Sequence, residues 1–316
     1  MRRTLTFITL LFITACSSTP KTPNIINLPT EGTPPSKPAT LTQGQRQPVI
    51  ALALGGGGAK GFAHIGAIKV LESHNIRPNI VVGTSAGSFV GSLYASGMSP
   101  YAMQLIAENF QEKDIRDLTL STQGFIDGKT LQSYVNKLVN NTPIQRFPKR
   151  FAAVATRLDT GAKAVFNRGN TGQAVRASCS IPNIFVPAVI NGIKYVDGGL
   201  VSPVPASVAR DLGADIVIAI DISARPKSED LGLLGLLDQT INIMSQQAIK
   251  SELAQADIVI KPRVLQFGTL DINKKHTAIL EGERAAQQQI SAIQHAVEKF
   301  LSSKAAFQPA PRPKLK

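Results

Sequence analysis

The chain has 316 residues, 43% of them hydrophobic, with two cysteines and no tryptophan. That length and apolar content support a core large enough to stand without disulfides, and two cysteines exclude a disulfide framework. The net charge of +13 suits anionic surfaces. No dense basic run is interleaved with aromatics, however, so a dedicated nucleic-acid groove is not expected, and the charge reads as attraction to anionic lipid or as plain solubility.

The N-terminus, MRRTLTFITLLFITAC, has a basic start at Arg2 and Arg3 followed by an apolar run from Leu5 to Ala15. This is the pattern of a signal peptide, too short to span a bilayer as a folded helix, and it sets residues 1–15 aside. Its end, Ile13-Thr14-Ala15-Cys16, resembles the bacterial lipobox, which implies a lipoprotein acylated, for instance with palmitate, at Cys16. Residues 16–46 are rich in Pro, Thr, Ser and Gln without a sustained period, and read as a disordered or polyproline-like stalk. Residues 47–303 read as one large catalytic domain and 304–316 as a disordered basic tail.

Within 47–303, short apolar runs alternate with amphipathic segments. VIALAL precedes a helix from about Gly61, NIVVG precedes a helix from Ser85, and FAAVATRL, ADIVIAIDIS and ADIVIKP follow. Such alternation predicts an α/β fold, a central mostly parallel sheet flanked by helices on both faces. Two hairpins are expected, one turning at Asp159-Thr160-Gly161 and one at Asn191-Gly192. SEDLGLLGLLDQTINIM suits either a mobile apolar lid or the start of a buried helix. The spacing of Ile279, Ala286, Ile290, Ile293, Val297 and Phe300 predicts one long closing helix.

Two glycine-bearing turns carry the chemistry. Gly56-x-Gly58-x-x-Gly61 follows a strand and opens a helix, as a dinucleotide fingerprint does, but the next strand ends in Gly83-Thr84-Ser85 rather than in an acid for a ribose. Lys60 is followed by Gly61, not by the Ser or Thr that a phosphate loop needs; it reads first as a solvated surface lysine and second as positive charge for a phosphate or acyl oxygen. The pentapeptide Gly83-Thr84-Ser85-Ala86-Gly87 on a strand-to-helix turn instead suits a serine nucleophile held above the sheet. The bare amides of Gly56, Gly57 and Gly58 then suit an oxyanion. None of the four histidines sits in a loop after a late strand, and His64 reads as a packing residue or as one that supports the site from behind. A carboxylate is available at YVDGGLVSPVP, where Asp197 ends a hairpin strand.

Together LALGGGGAKGFAHIGAIKVL, VVGTSAG and ASCSIPNIFVPAVINGIKYVDGGLVSPVPASVARDLGADIVIAID resemble the patatin-like phospholipase family, and within it bacterial proteins related to the neuropathy-target-esterase catalytic domain, over Val49 to Ser223. The resemblance implies a patatin-like three-layer fold. It also implies a Ser/Asp dyad in which Ser85 attacks an acyl carbonyl, Asp197 takes its proton, and Gly56, Gly57 and Gly58 hold the oxyanion, with no cofactor or metal. A dyad works only if Asp197 is shielded, so both side chains are expected within hydrogen-bond reach in a screened cleft. With the lipobox, the expected activity is hydrolysis of phospholipid or lysophospholipid acyl esters at the bacterial envelope. The expected location is the outer membrane, facing the periplasm. The alternatives are a general carboxylesterase or thioesterase on soluble substrates, and a non-catalytic envelope lipoprotein. Oligomeric state is not legible.

Overall fold

A computed structural model describes residues 24–26, 46–223, 233–268 and 271–305. The expected signal peptide, Cys16, most of the expected stalk, residues 228–232 of the glycine-leucine segment, and residues from 306 lie outside the described residues.

The first strand, β1 (Asn24–Ile26), falls where a stalk without regular structure is expected; β2 (Ile50–Leu54) leads to helix α1 (Phe62–Ser73), and β3 (Ile80–Thr84) to α2 (Ala86–Ala95). Helix α3 (Pro100–Asn109) precedes a small hairpin, β4 (Leu118–Ser121) and β5 (Gly124–Ile126), and then α4 (Lys129–Leu138). A long strand, β6 (Arg150–Arg157), turns back as β7 (Lys163–Phe166) and is followed by α5 (Thr171–Ser178). The second hairpin is β8 (Ala188–Ile190) and β9 (Ile193–Asp197). The chain closes with α6 (Ala206–Asp211), β10 (Ile216–Ile220), α7 (Leu233–Leu253), β11 (Ile258–Ile260), α8 (Lys275–Gln287) and α9 (Ile290–Ala305).

The main sheet runs β1-β7-β6-β3-β2-β10-β11, with β9 also on β6 and β8 on β9. Strands β6, β3, β2, β10 and β11 are parallel, while β7 and β9 run antiparallel to β6. Alternate side chains of a strand point to opposite faces. Leu52, Leu54, Val81 and Ile218 therefore join one core with Ile68 of α1, Leu93 of α2 and Ile279 of α8. Ala51, Ala53, Val82 and Val217 join a second core with Ala206 and Val208 of α6. Both faces are covered, which makes the three layers expected from the alternating pattern. Both hairpin turns form, and Asn191 and Gly192 both take positive φ, 51° and 75°. That conformation is why an Asn-Gly pair suits a two-residue connection.

Two expectations about regular structure change. Residues Asn24–Ile26 pair in parallel with β7, Asn24 opposite Ala164, because β7 leaves one edge of the sheet open and Ile25 and Ile26 suit a strand. The closing helix is two helices, not one. Gly66 of α1 and Gly282 of α8 cross so closely that a Cβ on Gly282 would lie 1.9 Å from Ala63 O, which fixes α8 along α1. The chain bends at Gln288-Gln289, where Gln289 N–H donates to Ala286 O, and α9 then carries the buried Ile290 and Ile293 onto the core beside β10.

Candidate active site

Strand β6 acts as a ruler. Along one edge it pairs first with β3, Thr84 opposite Val154, and then with β9, Asp197 opposite Ala155. Strands β3 and β9 approach each other along that edge from opposite directions, so their last residues are neighbours and each chain must turn off the sheet there. Residue Ser85 makes the first turn. It has φ 53° and ψ −124°, a left-handed backbone that costs a non-glycine residue roughly 1–3 kcal/mol. The helix α2 starts immediately after it, so its free N–H groups put a positive dipole end beside the hydroxyl. The elbow closes because residue 87 has no side chain: a Cβ there would lie 2.2 Å from Leu54 O.

The backbone around Ser85 is tightly held. Its N–H donates to Ser178 Oγ at 2.9 Å, and the Ser178 hydroxyl in turn donates to Val154 O of β6. Thr84 Oγ1 donates to Ser202 O at 2.7 Å. Asp197 is fixed from its own backbone, its N–H donating to Ser180 O and its carbonyl accepting from Thr156 Oγ1. One carboxylate oxygen, Oδ1, accepts the Gly199 N–H at 2.7 Å. The other, Oδ2, is buried with no hydrogen-bond partner.

Both Ser85 and Asp197 are 6% exposed. Burial pushes the Asp197 pKa up to about 6, against smaller pulls downward from the Ser85 hydroxyl and the Gly199 N–H. The hydroxyl is thus near enough to act on the carboxyl, while no closed Ser85–Asp197 hydrogen bond satisfies Oδ2. The structure brings the pair together short of a formed bond. The thiol of Cys179 lies against the same group: burial and then the Asp197 charge push its pKa up, and its Sγ is 3.9 Å from Ser88 Oγ.

The glycine turn needs two corrections. Gly56 does not offer its amide, because its N–H donates to Pro203 O at 2.9 Å. Among the described residues, the N–H groups of Gly57 and Gly58 donate to no protein acceptor, so these are the bare amides of the turn. Lys60 is not a solvated surface lysine but is only 2% exposed, and it lines the cavity that holds Ser85 and Asp197. Residue His64, expected as packing, is fully buried; its Nε2–H donates to Gly55 O at 2.8 Å and burial lowers its pKa to about 4. It therefore stays neutral and fixes the start of the glycine turn.

Two cavities meet at Gly58, Ser85 and Ile181. The larger, about 290 Å³, has an apolar wall that includes Phe62, Phe89, Leu93, Met103, Phe110 and Phe185. The smaller, about 90 Å³, is more polar and is lined by Gly57, Asp197, Gly199, Ser223, Asn242 and Ser245. Ser178, Cys179 and the apolar cavity were given no role by the sequence; Ser178 and Cys179 lie in the ASCSIP stretch, which the resemblance covers without assigning either residue a part.

A family model described as patatin-like phospholipase matches residues 52–210. An uncharacterized NTE family protein of Mycobacterium bovis is 32% identical over 191 residues, covering 60% of this chain and 53% of the relative. The lysophospholipase NTE1 of Meyerozyma guilliermondii is 30% identical over 181 residues, covering 55% of this chain and 13% of the relative. Patatin-like phospholipase domain-containing protein 7 of Rattus norvegicus is 33% identical over 188 residues, covering 57% of this chain and 14% of the relative. The chain thus spans about half, or much less, of the length of these relatives.

Proposed function

The chain belongs to the patatin-like phospholipase family, and from that premise we propose that it is a serine acyl hydrolase working through a Ser85/Asp197 dyad on phospholipid or lysophospholipid esters. Asp197 Oδ2, buried and unpartnered, is the base. With a pKa near 6 it is ionised at neutral pH yet far more basic than a solvated aspartate. As Ser85 Oγ forms its bond to the acyl carbonyl carbon, its proton passes to Oδ2, and the carbonyl π electrons become the oxyanion. The amides of Gly57 and Gly58 receive that oxyanion, as preorganised donors in a dry site. Collapse expels the alcohol, which takes the proton back from Asp197 and leaves an ester on Ser85. Water then repeats the sequence: it gives a proton to Asp197, attacks the acyl-enzyme, and releases the fatty acid and the free serine.

The observation that carries this reading is the meeting of the β3 and β9 ends on β6, which sets a strained serine and a desolvated carboxylate in one cavity. The apolar cavity, of about 290 Å³, is walled predominantly by apolar side chains. It suits an acyl chain, and the smaller polar cavity suits the leaving alcohol. The Meyerozyma relative is named a lysophospholipase, which supports lysophospholipid as a substrate class. The test is hydrolysis of defined lipids by the purified protein beside Ser85→Ala and Asp197→Asn, with products identified by mass; full turnover by Ser85→Ala refutes the assignment.

For the setting, Cys16 is the proposed lipid anchor, holding the enzyme at the outer membrane on the periplasmic side. The support is the lipobox resemblance and the stalk composition. Tethering raises the local enzyme concentration at a substrate that is itself membrane-bound. Incorporation of labelled palmitate that persists in Cys16→Ser would remove this part of the reading.

A further inference from the structure

Apolar projections border both cavities. On one side, hairpin β4–β5 carries Leu118 (77% exposed), a fully exposed Leu120 and Phe125 (62% exposed). Leu118 and Leu120 both stand exposed on β4, whose pairing with β5 shifts register between Leu118 and Ser121. The hairpin is fastened by backbone bonds: Phe125 and Ile126 N–H both donate to Ile184 O, and Val186 N–H donates to Ile126 O. Leu118, Phe125 and Ile126 also belong to the wall of the apolar cavity that ends at Ser85. The same residues are therefore wall inside and rim outside. On the other side, α7 exposes Leu236, Ile243 and Met244, while its Asn242 and Ser245 line the smaller cavity.

Leu118, Leu120 and Phe125 stand exposed together on one hairpin beside the apolar cavity, and clustered exposed apolar groups mark interaction surfaces. The rim is also cationic at one point. Lys194 Nζ reaches Gln123 Oε1 at 3.4 Å in the turn of the hairpin, on a chain of net charge +13.

We propose that hairpin β4–β5 is the bilayer-docking element. Leu120 enters the acyl layer of an anionic phospholipid surface, and Leu118 and Phe125 form the passage along which an acyl chain leaves the bilayer for the cavity at Ser85. This rests on the reading of that cavity as an acyl-chain site, and the test separates the two. The full chain carrying Ser85→Ala and Cys16→Ser, so that neither hydrolysis nor an anchor contributes, is sedimented with vesicles of phosphatidylcholine and phosphatidylglycerol. Leu120→Asp is expected to weaken binding at least tenfold, with Leu120→Ser between it and the parent. In the active protein, Leu120→Asp is expected to keep short-chain aryl ester turnover within twofold and to lose at least tenfold on vesicles. Unchanged vesicle binding overturns the proposal and favours a protein partner. Equal losses on both substrates overturn it too, because the hairpin is then structural. If the parent hydrolyses neither substrate, the hydrolase reading fails, while the binding comparison still decides the hairpin.

Discussion

Replacing Asp197 by Asn is expected to abolish turnover and to stabilise the protein. The folded carboxyl has a pKa of about 6 where the free group has 3.8, with burial outweighing the opposing pulls of the Ser85 hydroxyl and the Gly199 N–H. Between those values the folded chain holds a proton that the unfolded chain has released, so stability falls as pH rises from about 4 to 6 and is level above. A gap of about 2 units, at 1.36 kcal/mol each, makes the ionised group cost about 3 kcal/mol at pH 8. Asparagine has the same shape, keeps an oxygen for the Gly199 N–H and has no charge to desolvate. At pH 8 the variant's thermal midpoint is expected to rise by up to about 9 °C, taking about 3 °C per kcal/mol for a domain of this size. Turnover is expected to fall by about 10²–10⁴. Thermal scans at half-unit pH steps provide the check. The gain must fade between pH 6 and 4, and a variant less stable than its parent at pH 8, or a gain indifferent to pH, refutes the burial argument.

In the parent, kcat/KM on a soluble ester is expected to climb as pH rises through about 6 and then level, as ionisation of Asp197 requires; a profile flat from pH 4.5 to 8 contradicts it. Ser178→Ala leaves the buried Ser85 N–H without its acceptor, which costs roughly 1–3 kcal/mol, and is expected to lower kcat about tenfold with little change in KM. Met103→Trp narrows the apolar cavity, so a chain-length series of esters is expected to shift toward shorter acyl groups while butyrate turnover stays within twofold. Gly87→Ala drives a methyl against Leu54 O, and urea titration is expected to show a loss of more than about 3 kcal/mol or no folded protein.

What was legible in the sequence was what local chemistry writes. Apolar runs such as Ile216–Ile220 named the buried strands, Asn191-Gly192 named its turn, and the glycines about Ser85 named a tight elbow. Asp197 was reached through resemblance, because its approach to Ser85 is made by pairings of β6 with two strands distant in the chain, which no local pattern records. Gly56 shows the same limit on a smaller scale. A glycine suits an exposed amide and a close backbone contact equally well, and only the position of Pro203 shows that this amide is occupied. Lys60 read as surface because its cover comes from elsewhere in the chain. The bend after α8 was hidden because glutamines continue a helix as readily as they end one.

Because β6 sets the positions of both Ser85 and Asp197, their approach does not depend on how the chain travels between the elbow and β6. Helices α3 and α4 and the β4–β5 ribbon lie on that excursion. Descendants of this chain can therefore exchange the walls of the apolar cavity wholesale, by insertion or loss, while Ser85 and Asp197 keep their separation.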